Sequence, residues 1–347
     1  MIKYIGSKRT LVPSLVEVFT ALRNRKSTVL DLFSGTSRVG YALKGIGYRV
    51  LANDLNTYAA TIARCYVEAD SDREDEARKE IQRLNKLPGR EGYFTSTFCQ
   101  ESRFFQPKNG ARIDAIRDAI AALSPDPELE AVLLTSLMEA ADRVDSTVGL
   151  QMAYLKDWAS RSYKDLELRV PELLPQARAG KGKAYQLEAL DAAKALQADV
   201  VYIDPPYNQH KYLGNYHIWE TLVRWDFPDY YGVACKRVDC KERRSAFNSK
   251  PRYVDAFRAM INELQADTLV LSMSNEGFIT RSEVEEILGN RGKFITLEIE
   301  NKRYVGSKIG IYSPEGVMVG TEGKENNTEY VFVAGRGLLA VTSWLNL

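Results

Sequence analysis

Asp204, Pro205, Pro206 and Tyr207 are adjacent residues whose types can do chemistry together. They follow Ala198 to Ile203, a short apolar, β-branched run with the pattern of a buried parallel strand, which places the acid at a strand's carboxyl end. In an open α/β sheet that edge is where ligands bind. Two successive prolines fix two φ angles and remove two N–H donors, so the chain leaves the sheet stiffly with its carbonyls available as acceptors. A carboxylate at Asp204 and the carbonyl of Pro205 can take both hydrogens of a flat amino group, while Tyr207 offers an aromatic face to a planar ring. The chemistry this suits is an exocyclic amine on an aromatic heterocycle. A plain proline turn with Asp204 capping nearby backbone fits the same four residues, so the rest of the chain has to decide.

A second group lies near the start. Thr28 to Phe33 reads as a buried strand, and Ser34 to Gly40 turns from it into a helix that runs through Ile46. Gly35 lets the chain turn with its N–H groups facing outward, so a ligand can lie against the helix start. Gly35, Ser37 and Gly40 nearly spell a dinucleotide fingerprint, but the middle glycine is missing, so pyrophosphate is not the natural ligand. Asp31, at the strand end, is suited to a ligand amine. Asp54 closes a second strand, Tyr48 to Asp54, and can accept from both hydroxyls of a ribose, which NAD and S-adenosylmethionine share. Its simpler role is to cap the helix from Asn56 to Val67. Tyr4 to Lys8 precedes an apolar helical pattern; Gly6 permits close backbone approach, and Lys8 near a helix start implies something anionic beside it.

The elements that must hold these groups are bounded by composition. A chain of 347 residues buries roughly three quarters of its unfolded surface, enough for one large α/β domain and an inserted smaller one. Four cysteines without paired spacing and two histidines argue against a metal site and for a reduced, cytoplasmic protein. No signal-peptide pattern and no apolar run of bilayer length is present. The net charge of +1 argues against coating nucleic acid by bulk charge. Local charge differs: Asn208 to Arg252 holds nine Lys or Arg against five Asp or Glu, interleaved with aromatics. That suits a nucleic-acid face with Lys211, Arg237, Arg243 and Arg244 as backbone anchors. A solvated loop followed by an amphipathic helix is its alternative.

Tyr4 to Lys8, the Asp31-Leu32-Phe33-Ser34-Gly35-Thr36 loop, Asn53-Asp54 and Asp204 to Tyr207 occur in the order seen in the Dam-type, alpha-group DNA adenine N6-methyltransferases, which the chain resembles. The likeness extends to Ser272 to Asn275, to Asn301 to Val305 and to Thr328 to Val333, similar to that family's fifth strand and terminal hairpin. Tyr207 through Tyr216-His217 and Glu220 look like methyltransferases of type II restriction systems. Ser37 stands where many relatives have glycine, which makes the loop more crowded. The resemblance implies a Rossmann-like, S-adenosylmethionine-dependent α/β sheet with a terminal antiparallel hairpin. It further implies that Tyr4, Lys8, Asp54 and Asp204 contact S-adenosylmethionine, that Asp31, Phe33 and Gly35 line its methionine and adenosine parts, and that Glu188 sits near its adenine. Its other implications are a double-stranded DNA substrate and a separately encoded cognate restriction endonuclease. An Asp at 204 favours adenine, since cytosine N4 enzymes more often carry Ser there.

Residues 1–70 and 184–347 are expected to form the catalytic domain, and 71–183 an inserted, mainly helical recognition subdomain. Ser71 to Lys86 is charge-dense; Ile113, Ile116, Ile120 and Leu123, then Leu129, Val132, Leu133 and Leu137, repeat as core stripes. Arg103 to Phe105, Lys108 to Gly110, Arg112 and the loop Asp145 to Gly149 are candidates to face DNA, with a purely structural role as the alternative for each. Pro171, Pro175 and Gly180-Lys181-Gly182 mark the return. Helices are expected over Tyr253 to Leu264 and Arg281 to Leu288, strands over Thr268 to Ser274, Phe294 to Ile299 and Tyr330 to Val333, and a Gly-rich loop from Gly306 to Asn327.

The chemistry needs no covalent intermediate, because the methyl donor carries its own leaving group and the protein mainly aligns the amine. Cytosine C5 transfer would call for a nucleophilic Cys, and none follows a proline here. A duplex hides the target amine, so the base must be flipped out. The readings that compete are N4-cytosine DNA or RNA adenine methylation, an NAD-dependent oxidoreductase and a non-enzymatic DNA-binding module.

Overall fold

A computed structural model describes residues 1–22, 27–206, 211–302, 311–312, 318–320 and 326–345. Seven strands form one sheet: β1 Thr28–Asp31, β2 Arg49–Asn53, β3 Lys183–Tyr185, β4 Val200–Ile203, β5 Thr268–Ser274, β6 Phe294–Lys302 and β7 Asn326–Gly335. Their order is β3-β2-β1-β4-β5-β7-β6. The first five are parallel, and β7 inserts antiparallel between β5 and β6. This is a Rossmann-like sheet with an antiparallel terminal hairpin, as the resemblance implies. The expected 306–327 loop lies mostly outside the described residues.

The central strands do not alternate because both their faces are covered. Leu30, Val201 and Ile203 point into one core with helices α7 Ala189–Ala195, α9 Lys250–Glu263 and α10 Arg281–Gly289. Val29, Val200 and Tyr202 point into the other, with α1 Val12–Leu22, α2 Arg38–Gly45 and α11 Leu338–Leu345. The in-register apolar row Leu51, Leu30, Val201, Leu269 crosses four strands and fixes their alignment. Since β1, β2 and β4 run the same way, Asp31, Asn53 and Ile203 all end at one edge of the sheet.

Residues 71–183 carry α4 Glu74–Asn85, α5 Pro107–Leu123 and α6 Pro127–Val144. Asp126 starts α6 by accepting from the N–H groups of Glu128 and Leu129, with Pro127 at the first helical position. Ile113, Ile116 and Ile120 are buried as their spacing predicts, whereas Leu123, at the helix end, is 38% exposed. These helices do not close a core of their own. Their apolar faces share one cluster with Tyr58 and Ile62 of α3 Thr57–Ala63 and with Ile218, Trp219 and Leu222 of α8 His217–Arg224. The segment after Asp204 therefore packs against the inserted helices. No helix among the described residues is long and apolar enough to cross a membrane.

Candidate active site

At the carboxyl edge of β1, β2 and β4 lies a cleft of about 1100 Å³, its open mouth included. Tyr4, Lys8, Asp31, Phe33, Gly35, Asp54, Glu188 and Asp204 all line it, so residues spread over the chain converge on one space.

The Gly35 turn is built by neighbours. Gly35 has φ +52°, a left-handed value that favours glycine, and the Tyr4 ring lies 3.4 Å from where a Cβ would stand. Its N–H donates to Asp54 Oδ2 at 3.0 Å. Asp54 Oδ1 accepts from the Asn56 N–H at 2.9 Å, so the acid both steadies the turn and leads into α3. Ser37 is also left-handed, at φ +57°, just before α2, which is the physical content of its departure from glycine. Its hydroxyl meets that of Ser34 at 3.0 Å. Tyr4 is stacked on Tyr212 and Tyr216, with centroids at 5.2 and 4.6 Å. Phe33 meets Phe247 edge-on. Glu188 caps α7, accepting from the Leu190 N–H at 2.7 Å.

Asp31 is buried. Ser34 donates to its Oδ2 at 3.1 Å, but its Oδ1 has no hydrogen-bond partner among the described residues. Burial pushes its carboxyl up to about 7, against the pull of the Ser34 hydrogen bond. A buried acceptor of this kind at a cleft wall fits the ammonium of an amino-acid moiety, and with Asp54 and Gly35 the donor set fits a nucleoside bearing one.

Asp204 keeps 17% side-chain exposure, and its Oδ1 lies 3.0 Å from the Lys8 ammonium. Burial raises its carboxyl to about 6; Lys8 opposes the rise and Glu329 adds to it. Lys8 also pairs with Glu329 of β7. Because β7 is antiparallel, Glu329, opposite Ser274 at the end of β5, arrives at the edge where Asp204 leaves β4. The anion that the position of Lys8 implied is thus a pair of protein carboxylates. Pro206 lines the cleft and Pro205 is buried; Tyr207 lies outside the described residues.

The expected DNA anchors divide. Arg237 is 2% exposed and spans Asp226 and Asp239 at 2.8 and 3.0 Å, which corrects its reading as a phosphate contact: it is an interior ion pair. Arg112 donates to the carbonyls of Leu87 and Asn85 and fastens α5 to the end of α4. Arg243 pairs with the buried Glu220 at 2.9 Å and lines the cleft mouth. Lys211 and Arg244 are exposed. Tyr216, Trp219 and Phe247, three of the aromatics interleaved with those basic residues, are core residues. In the loop proposed to face DNA, Asp145 is buried and bound by Lys3 and Arg161, while Val148 is 69% exposed. Sequence reasoning missed the role of Glu329; an acid directly before the apolar run Tyr330 to Val333 was the available signal.

Residues 4–284 match the family of D12 class N6 adenine-specific DNA methyltransferases. The chain is 32% identical over 316 residues to the type II methyltransferase M.NlaIII of Neisseria lactamica, covering 88% of this chain and 93% of that one. It is 30% identical to the type II methyltransferase M.FokI of Planomicrobium okeanokoites and 29% to the modification methylase StsI of Streptococcus sanguinis. The matched regions span 49% and 46% of those longer proteins. A match over most of the chain, with Asp54, Asp204 and the Gly35 turn inside it, sets aside the oxidoreductase and cytosine readings: the chain belongs to the D12 class N6 adenine-specific DNA methyltransferases.

Proposed function

We propose that this enzyme methylates N6 of one adenine, flipped out of a specific site in double-stranded DNA, with S-adenosylmethionine as the methyl donor. The observation that carries the reading is the convergence in one cleft of an orphaned acceptor, Asp31 Oδ1, and the lysine-held carboxylate of Asp204. When bound, S-adenosylmethionine supplies an electrophilic methyl with its own leaving group. Asp31 takes the ammonium of its amino-acid part, and Asp54 takes the ribose hydroxyls, retaining its bond from Gly35. Phe33 and Glu188 flank the adenosine. Asp204 accepts an N6 hydrogen of the target base and concentrates the nitrogen lone pair on the incoming methyl; the positive charge that develops there is stabilised by the same carboxylate. The prolines keep that acceptor in place, with the Pro205 carbonyl as the second acceptor and Tyr207 as the stacking face. We assign Lys211 and Arg244 to the DNA backbone. Residues 71–183 supply sequence recognition, and, as the names of the relatives suggest, a cognate restriction endonuclease acts on the same site inside the cell.

Nucleoside mass spectrometry of DNA incubated with enzyme and labelled donor tests this. N6-methyladenine at one short motif is expected; label in N4-methylcytosine, in RNA alone or nowhere would overturn it.

Asp31 adds a pH dependence. The free carboxyl binds its proton up to about 7, and an ammonium beside it favours the ionised form. Donor binding therefore releases a proton, and its affinity should fall about tenfold per pH unit as pH drops below 7. Asp31→Asn should weaken binding about tenfold or more at pH 8 and flatten the profile, which calorimetry in buffers of different ionisation enthalpy will read.

A further inference from the structure

Arg38, the first residue of α2, lines two cavities. One is the cleft already described. The other lies between α1, α2 and α6 and is also lined by Arg9, Arg143, Arg169, Glu139 and Glu172. Four guanidinium groups and the Met1 amine, which pairs with Glu139, thus share the wall with two carboxylates. Glu139 is already engaged, accepting from the Tyr66 hydroxyl. Arg143 donates to the Glu167 carbonyl at 2.8 Å and Arg169 to the Glu167 carboxylate at 3.0 Å, which leaves each with further N–H groups. The Nε of Arg38 is buried without a hydrogen-bond partner among the described residues.

The cluster is electrostatically uncomfortable as it stands. Burial lowers the Arg38 pKa, and Arg9 lowers it further; burial does the same to Arg143, and Arg169 adds to it. Two pairs of like charges, Arg9 with Arg38 and Arg143 with Arg169, line one cavity, and Arg38 carries an unsatisfied buried N–H; an anion with several acceptor oxygens would satisfy them. The planar donor forks of arginine match phosphate best. The chain's net charge of +1 means that attraction to a polyanion must come from such local clusters. Arg38 lines both this cavity and the donor cleft, so a phosphate here would share a side chain with the cleft wall.

We propose that Arg9, Arg38, Arg143 and Arg169 form a phosphate subsite that seats a backbone phosphodiester of the DNA substrate beside the donor cleft. The inference rests on the DNA-methyltransferase reading and deepens it. It assigns anchoring to Arg9 and Arg38 from the chain's first segment and Arg143 and Arg169 from the inserted region, in place of the interior Arg237.

The test is the salt dependence of duplex binding. Wild type, Arg9→Gln, Arg169→Gln and the double variant are titrated with the methylatable duplex over a series of NaCl concentrations. Each released counterion contributes about 0.9 to the slope of log K against log salt, so each single change should lower the slope by about one and the double by about two. Binding should weaken equally for duplexes with and without the recognition motif, as phosphate contacts carry no sequence information. Arg9 and Arg169 are exposed, and an unchanged donor affinity certifies the fold. Unaltered slopes in the double variant overturn the proposal. Binding of inorganic phosphate that depends on these arginines, with unaltered DNA slopes, also overturns it and gives the subsite to a free anion. A wild-type enzyme that leaves adenine unmethylated would instead sink the underlying function, a result that the methylation assay reports separately.

Discussion

Asp204→Ala should lower kcat for adenine methylation by about 10²–10³ or more, with a smaller loss of affinity for S-adenosylmethionine, whose cleft Asp204 also lines. The magnitude is that of removing one preorganised group from the point where charge develops in a transition state. The fold should survive, because Lys8 keeps Glu329 as a partner when Asp204 is gone. The same geometry sets the acid limit of the wild-type reaction. An acceptor of N6 hydrogens must be ionised, and burial holds this carboxyl near 6, above its ordinary 3.8. The rate should therefore fall below pH 6, and Asp204→Asn should abolish that limb together with most of the rate. Stability moves the other way: the folded protein keeps this proton longer than the unfolded chain, so Asp204 costs stability progressively as pH rises from about 4 to 6. Wild-type turnover in Asp204→Ala, measured at saturating DNA and donor, would remove Asp204 from the chemistry.

What the sequence carried was local. An acid placed after a β-branched run is a position on a strand end, and parallel strands bring all such ends to one edge, so Asp31, Asp54 and Asp204 could be grouped without coordinates. The direct bond between Gly35 and Asp54, 19 residues apart, follows from the same unit of strand, turn, helix and strand. What was not legible depended on distant pairing. Glu329 stands 321 residues from Lys8, and only the antiparallel insertion of β7 brings them together. Counting charges between Asn208 and Arg252 could not separate Arg237, which Asp226 and Asp239 neutralise, from Lys211, which faces the cleft. The aromatics there misled for a related reason: α8 must bury its apolar face, and the inserted helices supply the surface that takes Trp219. The inserted helices and the flanking helices α3 and α8 are consequently joined by a common core, and a boundary drawn by chain position cuts through it.

Lys8→Met should destabilise the protein by about 3–5 kcal/mol at pH 7.5, the range for removing one partner of a buried ionic group. Lys8 is 10% exposed and sits between Asp204 at 17% and Glu329 at 6%, so its loss leaves two poorly solvated carboxylates facing each other. The pair relieves itself by holding a proton, and Asp204, already raised, is the site that takes it. A carboxyl pushed further up binds its proton over a wider pH range in the folded state, so the deficit against wild type should grow with pH and shrink towards pH 5. Urea unfolding midpoints at pH 5, 6.5 and 8 read this directly. The protonated Asp204 no longer accepts from N6, so the acid limb of the rate profile should move from about 6 towards or past neutrality. Lys8→Met/Glu329→Gln removes one charge of each sign and leaves Asp204 alone with an amide; it should recover a large part of the stability and return the limb towards acid. That recovery separates an electrostatic role from simple packing, since a larger number of altered side chains would otherwise cost more. A Lys8→Met protein as stable as wild type from pH 5 to 8, or a double variant less stable than the single one, would show that Lys8 fills space at the sheet edge and does not hold the Asp204 carboxylate.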